Sequence, residues 1–120
     1  MIENIIDSTL EKIKINNVTV PFFCGVPNFD EEAPETYIFY TYYDMPENYS
    51  GDDYNEIACY VTITYVSSDI QTLMSLTTLI RSQFKADGFK WISGNNRTDT
   101  DSFPEKKAKY QEFLITMESD

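Results

Sequence analysis

The sequence predicts an α+β fold, in which one mainly antiparallel sheet carries two helices on one face in the order α-β-β-β-α-β-β. Two segments repeat their apolar residues at helical spacing, and a segment between them alternates apolar and polar residues with period two. Runs of strands flanked by single helices are typical of α+β domains and not of doubly wound parallel sheets. The length of 120 residues predicts a single domain over residues 1–120.

Each helix is indicated by its apolar spacing and by signals at its ends. The first is expected over about 2–15, and Asn16-Asn17 is its stop signal because asparagine tolerates the left-handed conformation used at helix ends. The second is expected over about 69–86, with Asp69 among its N-cap candidates and Gly88 as its C-terminal cap.

The strands are indicated by β-branched and aromatic runs. Pro21 predicts that the first strand is an edge strand or is broken near its start, because proline cannot donate a hydrogen bond to a ladder. Pro46, Gly51 and four acids predict a loop or a hairpin connection over 44–53, which joins the second strand to the third. The strands are expected, in order, over residues 18–26, 36–43, 54–66, 89–93 and 109–118.

The formal net charge of −11 is concentrated in one part of the chain. Residues 15–80 carry ten acids and no base, and nine of those acids lie in 30–56. Binding to a phosphate backbone or to an anionic membrane is not expected, because both need clustered lysine and arginine. Three interpretations stay open: a solvated surface, a surface that repels polyanions, and a surface that meets a basic partner.

The chain offers little for catalysis or for metal binding. It has no histidine, which excludes histidine-dependent triads, zinc sites and general bases. Cys24 and Cys59 lie among apolar residues and are expected to be buried free thiols. Asp99-Thr100-Asp101 resembles the start of a calcium loop but lacks its glycine and third ligand, so an acidic loop is expected instead. We predict no enzymatic activity, no metal and no cofactor.

An aromatic run over 37–43 has five rings in seven positions. Stacking platforms for single-stranded nucleic acid look similar but need accompanying lysine and arginine, which this part of the chain lacks. A strand that is bulky on both faces indicates packing between subunits. The expected subunit-interface residues are Tyr37, Phe39, Tyr40, Tyr42 and Tyr43.

The N-terminus lacks the basic and apolar regions of a signal peptide, and no apolar run approaches the ~20 residues of a membrane span. A protein made in a reducing cytoplasm is therefore expected.

A series of local patterns extends over essentially the whole chain. After the N-terminal helix they are Val20-Pro21-Phe22-Phe23, Ala33-Pro34-Glu35-Thr36-Tyr37-Ile38-Phe39-Tyr40, the strand 57–66, the capped helix 69–85, and the final pair formed by Phe89-Lys90 and 110–117. In this order they resemble the phage tail terminator family, also known as tail completion or tail-to-head joining proteins of long-tailed phages and prophages. The acidic centre and the polar 95–104 loop depart from many members of that family.

The resemblance implies a structural virion protein without catalysis or cofactor. It implies a homo-oligomeric ring, usually a hexamer, that caps the tail tube, stops its growth and leaves a lumen for DNA. The implied partners are other copies of the chain, the tail tube protein and the head-completion or connector protein, with no specific nucleic-acid binding and no membrane. The implied location is the head–tail junction of the virion, after synthesis in the cytoplasm of the bacterial host.

An acidic bore fits this implied role, because a negative wall repels DNA and lets it slide. The acids expected to line the bore, or to face a partner, are Asp30, Glu31, Glu32, Asp52 and Asp53.

A different class of protein is also compatible with the composition. Small acidic α+β chains serve as immunity proteins or nuclease inhibitors, which present carboxylates to a basic active site. In that interpretation the acids of 30–56 would form one convex patch.

Overall fold

The computed structural model describes residues 2–27, 34–50, 53–96 and 107–118, which form two helices and seven strands. In chain order these elements are α1 (Ile2–Leu10), β1 (Lys14–Ile15), β2 (Val18–Thr19), β3 (Phe22–Cys24), β4 (Thr36–Ser50), β5 (Asp53–Ser67), α2 (Ile70–Ala86), β6 (Lys90–Asn96) and β7 (Lys107–Glu118).

Five of the strands form one mixed sheet in the order β3-β4-β5-β7-β6, and β1 and β2 form a separate small ladder. All neighbours in the large sheet are antiparallel except β3 and β4, which are parallel. The predicted α+β class with a mainly antiparallel sheet is therefore confirmed.

The predicted order α-β-β-β-α-β-β is wrong, because five strands and not three precede α2. Helix α1 ends at Leu10 instead of near residue 15, and Asn16 and Asn17 have φ values of 53° and 67°. Two consecutive residues with positive φ are what a two-residue hairpin turn requires. The asparagines therefore turn the chain between β1 and β2 instead of ending the helix.

The loop or hairpin connection predicted over 44–53 is a hairpin, and its strands extend further than expected. β4 continues through Pro46 as far as Ser50, and the last ladder pair joins Ser50 to Asp53. β3 pairs only with Ile38–Tyr40, so β4 has one described neighbour at the level of Pro46. Proline is tolerated there because its missing N–H costs no ladder hydrogen bond on the open side of β4.

The main core lies between one face of the sheet and the two helices. Helix α2 buries Leu73, Leu76, Ile80 and Phe84, and Phe84 stacks on Phe113 of β7 with ring centroids 4.8 Å apart. Helix α1 contributes Ile2, Ile6 and Leu10 to the same core, and it also buries Thr9.

The helices do not pack on the sheet in the same way, which corrects the predicted packing of two helices on one face. Helix α2 lies close to β5, β7 and β6, whereas α1 lies beside α2. A smaller cluster on the opposite face of the sheet contains Tyr37, Phe39, Val66 and Ala108, with Phe23 packed against it.

The end signals of α2 are confirmed. The Asp69 side chain accepts a hydrogen bond from the Gln71 N–H, as an N-cap residue does. Gly88 has a φ of 97°, and the Phe89 N–H donates to the Phe84 carbonyl at 2.9 Å. This is the hydrogen bond that closes a glycine-ended helix and turns the chain into the next strand.

Candidate functional site

The β4–β5 hairpin extends the molecule along one axis. Its strands have 15 residues each, which is about 50 Å at the usual rise of a strand. The molecule measures 52 × 29 × 24 Å, so the hairpin accounts for the long axis.

The sheet narrows towards the turn of this hairpin. β3 reaches only to Tyr40, and β6 reaches only to Leu114, which pairs with Tyr60. Beyond that register β4, β5 and β7 alone remain paired among the described residues. We call residues 44–56 the hairpin end.

The hairpin end is uniformly acidic. It contains Asp44, Glu47, Asp52, Asp53 and Glu56 and no lysine or arginine. The register places Glu47 opposite Glu56 and Glu56 opposite Glu118, so three neighbouring strands carry a glutamate at the same level. Like charges at directly opposed positions destabilise a ladder, so this row has an energetic cost within the monomer.

The acids predicted for a bore or partner surface are only partly placed by the structure. Asp30, Glu31, Glu32 and Asp52 lie outside the described residues, and Asp53 is the first residue of β5. The prediction omitted Glu47, Glu56 and Glu118, because their proximity depends on strand register. The period-two alternation of β5 was visible in the sequence, but its partners were not.

The five predicted interface aromatics lie on both faces of β4. Tyr37, Phe39 and Tyr40 are at most 4% exposed, and Tyr42 is half-buried against the main core. Tyr43 is 54% exposed, and its ring stacks on Tyr60 with centroids 5.1 Å apart. An interface role stays a prediction, and Tyr43 is the residue of the five with a large free surface.

A polar cluster ties α1 to the sheet. The Tyr40 hydroxyl donates to Asp7 Oδ1 at 2.8 Å, and Cys24 Sγ donates to Glu3 Oε1 at 3.6 Å. Burial and the neighbouring Asp7 carboxylate raise the pKa of Tyr40, and the hydrogen bond to Glu3 raises the pKa of Tyr42 to about 12. These groups stay protonated near neutral pH, so the cluster holds the helix and does not supply a base.

Both thiols are free, with Cys59 buried and Cys24 exposed. Burial raises the pKa of Cys59 to about 12, and desolvation also raises the pKa of Cys24. A raised pKa leaves little thiolate, which is the nucleophilic form, so neither cysteine has the properties of a catalytic residue.

A cleft of about 290 Å³ opens between α2 and the β6–β7 ladder. Arg81, Trp91, Lys109 and the buried Gln111 are among the residues that line it. The Arg81 guanidinium carbon lies 4.1 Å above the centre of the Trp91 ring. We call this feature the basic cleft.

Gln111 fixes the geometry of the basic cleft. Its Oε1 accepts a hydrogen bond from Trp91 Nε1 at 3.0 Å, and its Nε2 donates to the Thr77 carbonyl at 3.0 Å and to the Tyr65 hydroxyl at 3.4 Å. The indole is thereby held with its face towards Arg81. A guanidinium that stacks on a fixed aromatic ring keeps the N–H groups at its own edge, where they can donate hydrogen bonds to an anion. The sequence did not reveal this cleft, because its residues come from α2, β5, β6 and β7.

Within the described parts of the chain, no three potential ligands among Asp, Glu and Cys are grouped as a metal site would need. Nor does any helix described here have the length and apolar character to span a membrane.

A comparison of the chain with models of known protein families finds no match, and a comparison with curated protein sequences finds none either.

Proposed function

We propose that the protein is a structural subunit that assembles with copies of itself into a ring, expected to be a hexamer, at the end of a phage tail tube. The ring ends tail growth and joins the tail to the head-completion protein. The observation that carries the proposal is the acidic hairpin end, which extends beyond the five-stranded part of the sheet. A projection beyond the five-stranded part of the sheet is suited to contacts with other subunits.

The sheet also leaves strand edges for such contacts. β4 has a described neighbour on its β3 side only at Ile38–Tyr40, which leaves the rest of that edge open among the described residues. Open edges can pair with another chain, and acids along an edge limit that pairing to a matching surface. A ring requires heterologous contacts, in which two different patches of each subunit meet.

The concentration of negative charge supports a DNA conduit. Ten acids and no base between residues 15 and 80 would repel a polyanion from whichever wall they form. Repulsion from the wall favours passage of the DNA over its retention in the bore.

The proposal is tested by mixing the purified chain with growing tail tubes of the phage or prophage that encodes it. We expect rings at tube ends in negative-stain micrographs and an arrest of tube growth. Uncapped tubes that grow to the same lengths with and without the chain would overturn the proposal.

The acidic bore is tested separately with the double variant Asp52→Lys/Asp53→Lys. We expect tails that assemble normally but deliver DNA poorly, because two carboxylates in each subunit become cations. The matched control is Asp99→Lys/Asp101→Lys, which makes the same charge change at two positions between β6 and β7 in the sequence. Failed assembly with normal DNA delivery in the surviving particles would contradict a bore lined by Asp52 and Asp53.

The second candidate is an inhibitor or immunity protein, and the same acidic hairpin end favours it because carboxylates can occupy a basic active site. This candidate predicts a stable monomer or dimer that binds a basic nuclease in a salt-sensitive complex and leaves tail tubes uncapped. Size measurements with light scattering and a nuclease inhibition assay at two salt concentrations separate the two candidates.

A further inference from the structure

The basic cleft has two cations that are not neutralised by described acids. The ion pair among the described residues joins Lys12 to Asp87, and neither Arg81 nor Lys109 takes part in one. Arg81 lies on the exposed side of α2 and stacks on Trp91. In a chain with a net charge of −11, two such cations at one cleft are an exception to the overall balance.

The cleft is organised before any ligand binds. The side-chain amide of Gln111, which is 2% exposed, uses both its oxygen and its nitrogen in hydrogen bonds to Trp91, Thr77 and Tyr65. The stacked guanidinium has a planar edge that matches two carboxylate oxygens, and Lys109 adds a second charge at the same opening. A site of this chemistry takes carboxylates, because planar bidentate pairing is the strongest contact that arginine offers to them.

The hairpin end of the same subunit is too far away to supply these carboxylates. Tyr65, which lines the cleft, is 12 residues from Asp53 along β5, which corresponds to about 40 Å of strand. β5 is paired to β4 on one side and to β7 on the other, so the hairpin end cannot fold back to its own cleft without breaking these ladders.

We propose that the basic cleft receives carboxylates of the hairpin end from a second copy of this chain. The two surfaces have opposite charge, lie at opposite ends of the β5 strand and differ in shape, as the two halves of a heterologous contact must. Repeated head to tail, such a contact generates a ring or a filament. This inference rests on the proposed function for the ring and names the subunit contact within it. It also explains the costly row of glutamates at the hairpin end, because a cationic neighbour offsets their repulsion.

The contact is tested by exchanging charges between the two surfaces. The cleft variant is Arg81→Glu/Lys109→Glu, and the hairpin variant is Glu47→Lys/Asp53→Lys/Glu56→Lys, which leaves three lysines against Asp44 and Asp52 at the hairpin end. Sedimentation velocity at low and high salt measures self-association. We expect each variant alone to associate at least about tenfold more weakly than the unmodified chain, because both of its surfaces then have the same sign. An equimolar mixture should recover association, because each surface again meets its opposite.

The matched control is Lys85→Glu/Lys90→Glu, which makes the same charge change at two exposed lysines outside the cleft. We expect this control to associate within about threefold of the unmodified chain, since exposed rim charges contribute little to affinity. Thermal melting of all variants checks that they are folded.

Trp91 is the only tryptophan, so its fluorescence reports on the cleft directly, including under conditions where the unmodified chain is monomeric. The reporter is the hairpin variant, whose cleft is intact. The titrant is Arg81→Glu/Lys109→Glu/Trp91→Phe, which has an intact hairpin and no tryptophan. We expect a saturable change in emission that disappears at high salt.

Unchanged self-association of the cleft variant would overturn the inference and would point instead to another surface or to coverage of the cleft by the 97–106 segment of the same chain. A mixture that fails to recover self-association, together with unchanged Trp91 emission, would also overturn the inference. These failures are distinct from failure of the proposed function. A cleft variant that still caps tubes as rings would overturn this inference but not the proposed function. A Trp91 response in a chain that never caps tubes would overturn the proposed function but not the contact between cleft and hairpin end.

Discussion

At the scale of single residues, Gln111 has the largest structural role for which the sequence provides no signal. It is a polar residue on a strand face that otherwise contributes Phe113, Ile115 and Met117 to the main core. It is buried at 2% exposure and tolerated there because its amide has partners on both sides. Buried amides of this kind stabilise one geometry, since any alternative leaves polar groups unpaired.

We expect Gln111→Leu to lower the free energy of unfolding by about 1–3 kcal/mol, because the Trp91 N–H and the Thr77 carbonyl lose their partner in a buried place. Urea denaturation followed by tryptophan emission measures the change. The control is Glu112→Gln, at a half-buried position on the opposite face of β7, which should change stability by less than about 0.5 kcal/mol. Equal stability of Gln111→Leu and the unmodified chain would contradict the assigned role.

At the scale of elements, the junction of the two helices depends on Asp87, just beyond the end of α2. Its carboxylate accepts hydrogen bonds from Thr9 Oγ1 at 2.7 Å, from Lys12 Nζ at 3.1 Å and from Gln83 Nε2 at 3.2 Å. The hydrogen bond from Thr9 is the main cause of the lowered pKa of Asp87, and Lys12 lowers this pKa further. The charged form is therefore the one that fastens α1 to α2.

We expect Asp87→Asn to cost about 1 kcal/mol of stability at neutral pH, because the charge-assisted hydrogen bonds become neutral ones. A lowered pKa in the folded state gives stability that is complete above the unfolded pKa near 3.8 and is lost as pH falls through the folded value. The difference between the variant and the unmodified chain should thus be constant from pH 6 to pH 8 and shrink below about pH 4. Thermal melts across this range measure it, and a difference that grows on acidification would contradict the assignment.

At the scale of the whole molecule, charge is separated along the long axis. The acidic hairpin end occupies one end of β5, and the basic cleft lies near the other. Glu47, Glu56 and Glu118 occupy opposed positions on neighbouring strands. We therefore expect repulsion between them to lower the stability of the isolated subunit.

We expect Glu56→Lys, at the centre of that row, to stabilise the isolated subunit by about 0.5–1 kcal/mol at low ionic strength, because two repulsive cross-strand pairs become attractive. Added salt should reduce the gain, since screening acts on both kinds of pair. Chemical denaturation at two salt concentrations provides the measurement. Glu11→Lys, an exposed position on the chain after α1, makes the same charge change and should have a smaller effect. A gain of the same size in that control would assign the effect to net charge instead of to the row.

The sequence was sufficient for features that depend on neighbours in the chain. Helix α2 with its Asp69 and Gly88 ends, the face of β5 that enters the main core and the α+β class all follow from local spacing and local capping chemistry. The prediction of a helix end at Asn16-Asn17 is wrong, because one positive-φ preference serves both a helix cap and the hairpin turn that these residues form.

By itself, the sequence determined the class of fold, the concentration of acids between residues 15 and 80 and the lack of histidine chemistry, since composition and periodicity do not depend on how strands pair. Only the tertiary structure decided that β4 runs on through Pro46, that three glutamates share one register and that Arg81, Trp91, Lys109 and Gln111 meet at one cleft. Those features join residues from distant parts of the chain, and the pairing that brings them together is set by packing of the whole core and not by any local preference.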